Sequence, residues 1–239
     1  MLSYKKSKNS IPIALDKATS DLVYINKSID RHNRLVGDFE PFFPLTDQLI
    51  YISSRRGAGK STFCNMYIKN YVEATDGRVF IISRFEEDPS IQLPQRGMFI
   101  PLDQINDLEM KDMKDSLIVF DDIHSATLTP QQSKQLQSFV IDVCENSRHF
   151  NMSALITSHQ ACNYQKTRAI LNEANAFVFF PQFTNRHQID RALKVYYGLN
   201  DKQIDDLFQI KDSRWVMINA VNPKYILTQT SIESFDNNK

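Results

Sequence analysis

Five short apolar runs follow one another after residue 48: LIYIS (49–53), RVFIIS (78–83), SLIVF (116–120), SALIT (153–157) and AFVFF (176–180). Each is unbroken rather than alternating, rich in β-branched and aromatic residues, and ends where polar or turn residues begin. A strand reads this way when both of its faces are buried, as in a parallel sheet. Helical patterning occupies the intervals at roughly 60–74, 130–147 and 166–174. The alternation predicts right-handed crossovers and an α/β fold with a doubly wound, mainly parallel sheet. Ligands of such a sheet bind at the C-terminal ends of its strands. After Pro181 the pattern changes. Two helices, near 186–197 and 201–210, precede RWVMINA and KYILTQT, which are separated by VNP and predict a C-terminal β-hairpin. Residues 1–45 are polar and mixed, with FEPFFPL (39–45) as an irregular apolar patch. They read as an N-terminal extension, and 46–239 as one domain that includes the C-terminal helices and hairpin.

Composition narrows the partners. A chain of 239 residues suits one domain with a full core. Its 28 basic and 28 acidic residues cancel, which argues against a protein that coats nucleic acid by bulk charge. Any such contact must come from local loops or from a ring of subunits. No apolar run approaches the length of a membrane span, and MLSYKKSKNSIPIALDK lacks a signal core. Cys64, Cys144 and Cys162 form no C-x-x-C pair, and the five histidines form no cluster. Disulfides and zinc are not expected, which fits a soluble protein of a reducing compartment.

The first run leads into SRRGAGKST: Ser54, Arg55, Arg56, Gly57, Ala58, Gly59, Lys60, Ser61 and Thr62. This is the register of the phosphate loop G-x-x-x-x-G-K-[ST]. Glycines let backbone N–H groups wrap phosphate oxygens, the lysine reaches the terminal phosphates, and the hydroxyl serves a magnesium ion. Ser54 replaces the first glycine. A small side chain suffices there if the backbone avoids positive φ. A strand before the loop and an amphipathic helix, KSTFCNMYIKNYV, after it supply the expected context.

Hydrolysis needs more than binding. SLIVF ends in Asp121 and Asp122. The first carboxylate suits the magnesium shell and the second suits polarising a water. SALIT continues into Ser158, His159 and Gln160, and Gln160 is placed to orient that water or sense the γ-phosphate. His159 reads as structural or as part of the loop rather than as a general base. An arginine near the developing charge is the remaining part. Arg148 and Arg168 are the first candidates, either acting across a subunit interface, with Arg84, Arg55 and Arg56 behind them.

Together, LIVFDD, SRHFNMSALITSHQ, TRAILNEANAFVFFP and SRWVMINAVNPKYIL resemble the genome-packaging ATPases of large double-stranded DNA viruses and virophages, in the FtsK–HerA superfamily. The likeness spans roughly residues 45–230. It implies a P-loop NTPase sheet of the additional-strand catalytic-glutamate type, with core strand order 5-1-4-3-2. It also implies ATP and Mg2+ as cofactors and a homo-oligomeric ring, a hexamer, around double-stranded DNA. Capsid-vertex or membrane-associated capsid proteins become possible partners, in the host cytoplasm or the virion. Carried over by position, Lys60 and Ser61 serve phosphate and magnesium, Asp121 the magnesium, Asp122 the catalytic acid and Gln160 the sensor. Arg148, then Arg168, act in trans. Asp122 is one methylene shorter than the usual glutamate. DNA-facing loops are expected around Arg84–Arg96 and Asn163–Arg168. Another FtsK–HerA translocase or helicase, a nucleoside or nucleotide kinase, and a non-catalytic nucleotide-binding adaptor remain as other readings.

Overall fold

The computed structural model describes residues 2–26, 33–42, 48–83, 90–122, 128–221 and 223–234. The chain begins with five short strands, β1 (Leu2–Ser3), β2 (Ser10–Asp16), β3 (Asp21–Asn26), β4 (Asn33–Val36) and β5 (Phe39–Pro41). Four of them form a small antiparallel sheet in the order β1-β3-β2-β5. Ile13, Ala14, Val23, Ile25 and Phe39 turn inward and are buried. The patch expected to be irregular is therefore a strand over Phe39–Pro41. Proline is tolerated because β5 is the edge of this sheet, where its missing N–H interrupts no ladder. The rest of that patch, 43–45, lies outside the described residues.

The main sheet contains β6 (Leu49–Ser53), β7 (Arg78–Ser83), β8 (Gly97–Pro101), β9 (Ser116–Phe120), β10 (Ser153–Ser158), β11 (Ala176–Phe179), β12 (Val216–Asn219), β13 (Tyr225–Thr228) and β14 (Ser231–Ser234). Helices α1 (Lys60–Ala74), α2 (Pro130–Asn146), α3 (Tyr164–Glu173), α4 (Arg186–Tyr197) and α5 (Asp201–Phe208) connect them. Its order is β4-β14-β13-β12-β11-β6-β10-β9-β7-β8. From β11 to β8 neighbours run parallel. From β11 outward through β12, β13, β14 and β4 they run antiparallel. The two sheets meet where the Gly37 and Phe39 N–H groups donate to the carbonyls of Thr230 and Gln229, at 3.0 and 2.7 Å.

Helix ends are written locally. Thr129 forms a capping box with Gln132 ahead of Pro130, and Asn200 forms one with Gln203. Asn163 and Asn185 cap α3 and α4, and Gly198 closes α4 in the left-handed conformation. These caps satisfy terminal N–H groups that would otherwise compete for partners.

Both faces of the main sheet are covered, which is why β6, β9, β10 and β11 are buried throughout. Residues alternate between two cores. Tyr51, Phe120, Ile156, Phe177 and Phe179 pack beneath α2–α5. Ile50, Ile52, Val119, Leu155 and Val178 pack beneath α1 and the small N-terminal sheet. Phe177 sits at the centre of the first core, stacked on Tyr51, Phe179 and Tyr197 with centroids 5.8, 5.8 and 5.6 Å away. Phe177→Ala should destabilise the fold by about 3–5 kcal/mol, because the cavity cannot collapse between three rigid rings. Urea unfolding followed by tryptophan fluorescence measures it, and a loss under about 1 kcal/mol would mean that the rings repack.

Candidate active site

β6 is central, flanked by β10 and β11, so the loop leaving it opens at the C-terminal edge between two neighbours. Ser54 is buried, and its N–H donates to the Ser158 carbonyl at 3.2 Å. It does not adopt positive φ, whereas Gly57 (φ +78°) and Gly59 (φ +114°) do. The loop thus demands glycine at 57 and 59 and accepts serine at 54. A Cβ on Gly57 would meet nothing within 4 Å, so open space lies beside the loop at that point. Ala58 is buried, while Arg55, Arg56 and Thr62 are exposed. The Ser61 hydroxyl accepts from Ser90 at 3.1 Å.

Lys60 opens α1, and its side chain is only 8 % exposed. A buried ammonium needs partners. It finds the Asp122 carboxylate at 3.5 Å, the His159 ring at 3.1 Å and the Ser54 carbonyl at 3.4 Å. The His159 Nε2 lies 3.1 Å from the other Asp122 oxygen, so the ring spans lysine and carboxylate. A ring protonated on Nε2 donates to Asp122 and accepts from Lys60 through Nδ1.

Thr157, the penultimate residue of β10, binds the two acids together. Its hydroxyl donates to Asp121 Oδ1 at 2.9 Å and accepts the Asp122 N–H at 2.8 Å. Asp122 is held at φ +44°, an unusual conformation for a residue with a Cβ, and this turns its carboxylate toward Lys60. Among the described residues at this edge, Gln160 Oε1 is buried without a hydrogen-bond partner, and Asp122 Oδ1 has only the ion pair with Lys60 at 3.5 Å. The Tyr51 hydroxyl donates to the Gln160 carbonyl, and the Gln160 N–H donates to Ser158 Oγ at 3.0 Å. One unpartnered amide oxygen, an aspartate pair and a loop hydroxyl at one edge fit a magnesium-bound triphosphate. Cys64, beneath the loop, has its thiol pushed up by burial, and Cys144 is pushed up to about 12 by the same cause. Neither is a nucleophile at neutral pH.

The arginines separate. Arg148 is exposed in a turn of 3-10 helix over Ser147–Phe150, before β10 begins. There it lines a pocket with Leu49, Glu145, Glu173 and Asn175, at the N-terminal edge of the sheet, away from its own phosphate loop. Arg168 is exposed on α3, with its guanidinium 5.0 Å from the Tyr164 ring. Arg84 lies outside the described residues. Arg96 corrects the expectation of a DNA-facing loop at strand C-termini. It immediately precedes β8, at the opposite edge, and is paired with Asp76 at 3.4 Å. The strand GMFIP starting at Gly97 is what places it there. Asn163–Arg168 does start at the C-terminal side of β10.

Arg214 escaped the sequence reading. Its Nε donates to the Ala58 carbonyl at 2.6 Å and its Nη2 to the Gly57 carbonyl at 3.0 Å. Its guanidinium lies 5.2 Å from the Phe183 ring. The one local signal was an arginine two positions ahead of a strand, and its partners are more than 150 positions away.

Loop, acids and mainly parallel sheet together define the class: a P-loop NTPase fold. No protein-family model matches the chain. The uncharacterized protein V3 of Sputnik virophage is 35 % identical over 252 aligned positions, covering 98 % of this chain and 100 % of V3. The chain belongs to the family of V3. Among solved structures, the genome packaging NTPase B204 of Sulfolobus turreted icosahedral virus 2, in complex with ATP-gammaS, matches with TM-score 0.53 and 13 % identity. That match covers 76 % of this chain and 96 % of B204. VirB4 of Thermoanaerobacter pseudethanolicus matches with TM-score 0.53 and 11 % identity, over 98 % of this chain and 97 % of VirB4. At such identities the likeness is one of fold. No helix among the described residues is long and apolar enough to cross a membrane.

Proposed function

We propose that this protein is a magnesium-dependent ATPase that drives double-stranded DNA into a preformed viral capsid, working as a homo-oligomeric ring. The observation that carries the reading is the approach of Lys60, at the start of α1, to Asp122, at the end of β9, across β10. A nucleotide-binding loop and a candidate water-activating acid thereby face the same space.

In this reading the backbone N–H groups near Gly57 and Gly59 cradle the phosphates, and Lys60 reaches the terminal ones. Ser61 and Asp121 would hold magnesium, whose contribution when bound would be to neutralise charge on the phosphoryl group. Before nucleotide arrives, Asp122 satisfies the buried Lys60. A triphosphate offers Lys60 a stronger anion, and Asp122 is then released to accept a proton from the attacking water. Thr157 keeps the two acids in register through that exchange, and Gln160 orients the water. Arg148 faces away from its own site, so a catalytic role for it requires a head-to-tail ring that brings one subunit's N-terminal sheet edge to the next subunit's loop. Six subunits, a capsid partner and a place in the host cytoplasm or virion follow from the family resemblance. The observed run β11-β6-β10-β9-β7 supports the additional-strand catalytic-glutamate assignment.

The test is phosphate release with and without duplex DNA across a salt series. Stimulation should be independent of sequence and fade as salt rises, because a ring with few basic loops per subunit binds through phosphate contacts. Absence of stimulation at low salt removes the motor reading, and transfer of phosphate to a nucleoside would replace it with a kinase.

A further inference from the structure

We infer that Arg214 is a positioning residue of the phosphate loop, acting within its own subunit, and that it sets the loop's affinity for the triphosphate. The inference rests on the reading of 54–61 as a triphosphate site.

A trans peptide unit points its C=O and the following N–H in opposite directions. Arg214 binds the carbonyls of Gly57 and Ala58, at 3.0 and 2.6 Å. The N–H groups of Ala58 and Gly59 are therefore turned away from it. Those are two of the donors that a phosphate loop must aim at its ligand. Arg214 thus fixes the orientation of two successive peptide units in a segment whose glycines, at φ +78° and +114°, permit many others.

The arginine is itself held on a rigid mount. Its N–H donates to the Gln229 side chain at 2.7 Å, and its guanidinium lies against Phe183. The next residue, Trp215, is buried and packs edge-on against Phe63 of α1, with centroids 5.1 Å apart. The Phe183 carbonyl in turn accepts the Arg55 N–H at 3.4 Å. Loop, helix and arginine are one packed unit. A Cβ on Gly59 would come within 3.2 Å of Arg214 Nε, so glycine there serves the clamp as well as the backbone conformation. Arginine suits this post because its planar fork holds two donors in a fixed geometry toward the two carbonyls, which an ammonium on a flexible stem does not preorganise.

The experiment is equilibrium binding of ATP and of inorganic tripolyphosphate, both with magnesium, to wild type, Arg214→Ala and Arg214→Lys, with thermal melts to identify folded variants. Arg214→Ala should weaken both ligands by the same factor, about tenfold or more, since two charge-assisted hydrogen bonds preorganise the donors. Arg214→Lys should weaken both as well, and it carries the test if the alanine variant fails to fold. In turnover, KM should rise by more than kcat falls. Folded variants that bind both ligands like wild type overturn the inference. So does a variant that loses ATP but keeps tripolyphosphate, which would make Arg214 a contact to the nucleoside. Wild type that binds neither ligand overturns the phosphate-loop reading instead.

Discussion

Asp122→Asn should reduce ATP turnover by about 10²–10⁴-fold, the usual contribution of a positioned general base, while nucleotide stays bound. Asparagine keeps the size of the side chain and removes its basicity. The Thr157 hydroxyl accepts the backbone N–H at position 122 rather than a side-chain atom, so the turn that carries the residue should survive. Lys60 loses one anionic partner in the empty protein but retains His159 and the Ser54 carbonyl. Asp122 is 39 % exposed, so solvent already screens that pair and the folded state should tolerate the change. Phosphate-release kinetics beside equilibrium ATP binding make the check. A variant that hydrolyses at the wild-type rate would take the base role from Asp122, and Gln160 and His159 would be the next side chains to test at that edge.

Lys60→Ala should remove both binding and turnover, each by about 100-fold or more, because it deletes the one ammonium aimed at the phosphates from a water-poor position. Lys60 is buried, so alanine also leaves the Asp122 carboxylate without its cation and beside His159 alone. The two variants therefore separate. Lys60→Ala should fail to bind ATP, whereas Asp122→Asn should bind and stall. Isothermal titration with a non-hydrolysable analogue distinguishes them. Retention of wild-type affinity by Lys60→Ala would show that the loop is not a phosphate site.

How much of this was legible beforehand depends on how local the physics was. The strands β6, β7, β9, β10 and β11 announced themselves because burial on both faces leaves no polar positions to interrupt an apolar run. The helices were readable within two residues of their ends, including α5, which stops at Phe208 rather than near 210. The candidate phosphate loop stood out because that chemistry requires a fixed spacing along the chain. The N-terminal strands were not. β2 and β3 carry the short apolar runs IPIAL and LVYI, but these bury only part of their side chains, chiefly Ile13, Ala14, Val23 and Ile25, and lie in a stretch otherwise rich in polar residues. Only the neighbouring sheet reveals which side is covered. β4, four residues long, pairs with β14 some two hundred positions away and carries no local signature. β8 was missed for a related reason: as an edge strand it exposes Met98 and presents no unbroken run.

The sequence by itself singled out the residues proposed to meet a triphosphate, and the edge of the sheet where they gather. Glycine at the positive-φ positions, lysine, hydroxyl and carboxylate each have a specific part in that chemistry, and strand ends position them. Only the tertiary structure decided what holds those residues in place. Thr157 joins the two acids, His159 spans Lys60 and Asp122, and Arg214 grips the loop carbonyls from the strand-entry segment of the C-terminal sheet. Each of these is a contact between a common polar side chain and a remote partner. Their distances are set by how α1, β10 and β12 pack, and packing leaves no mark at any single position of the chain.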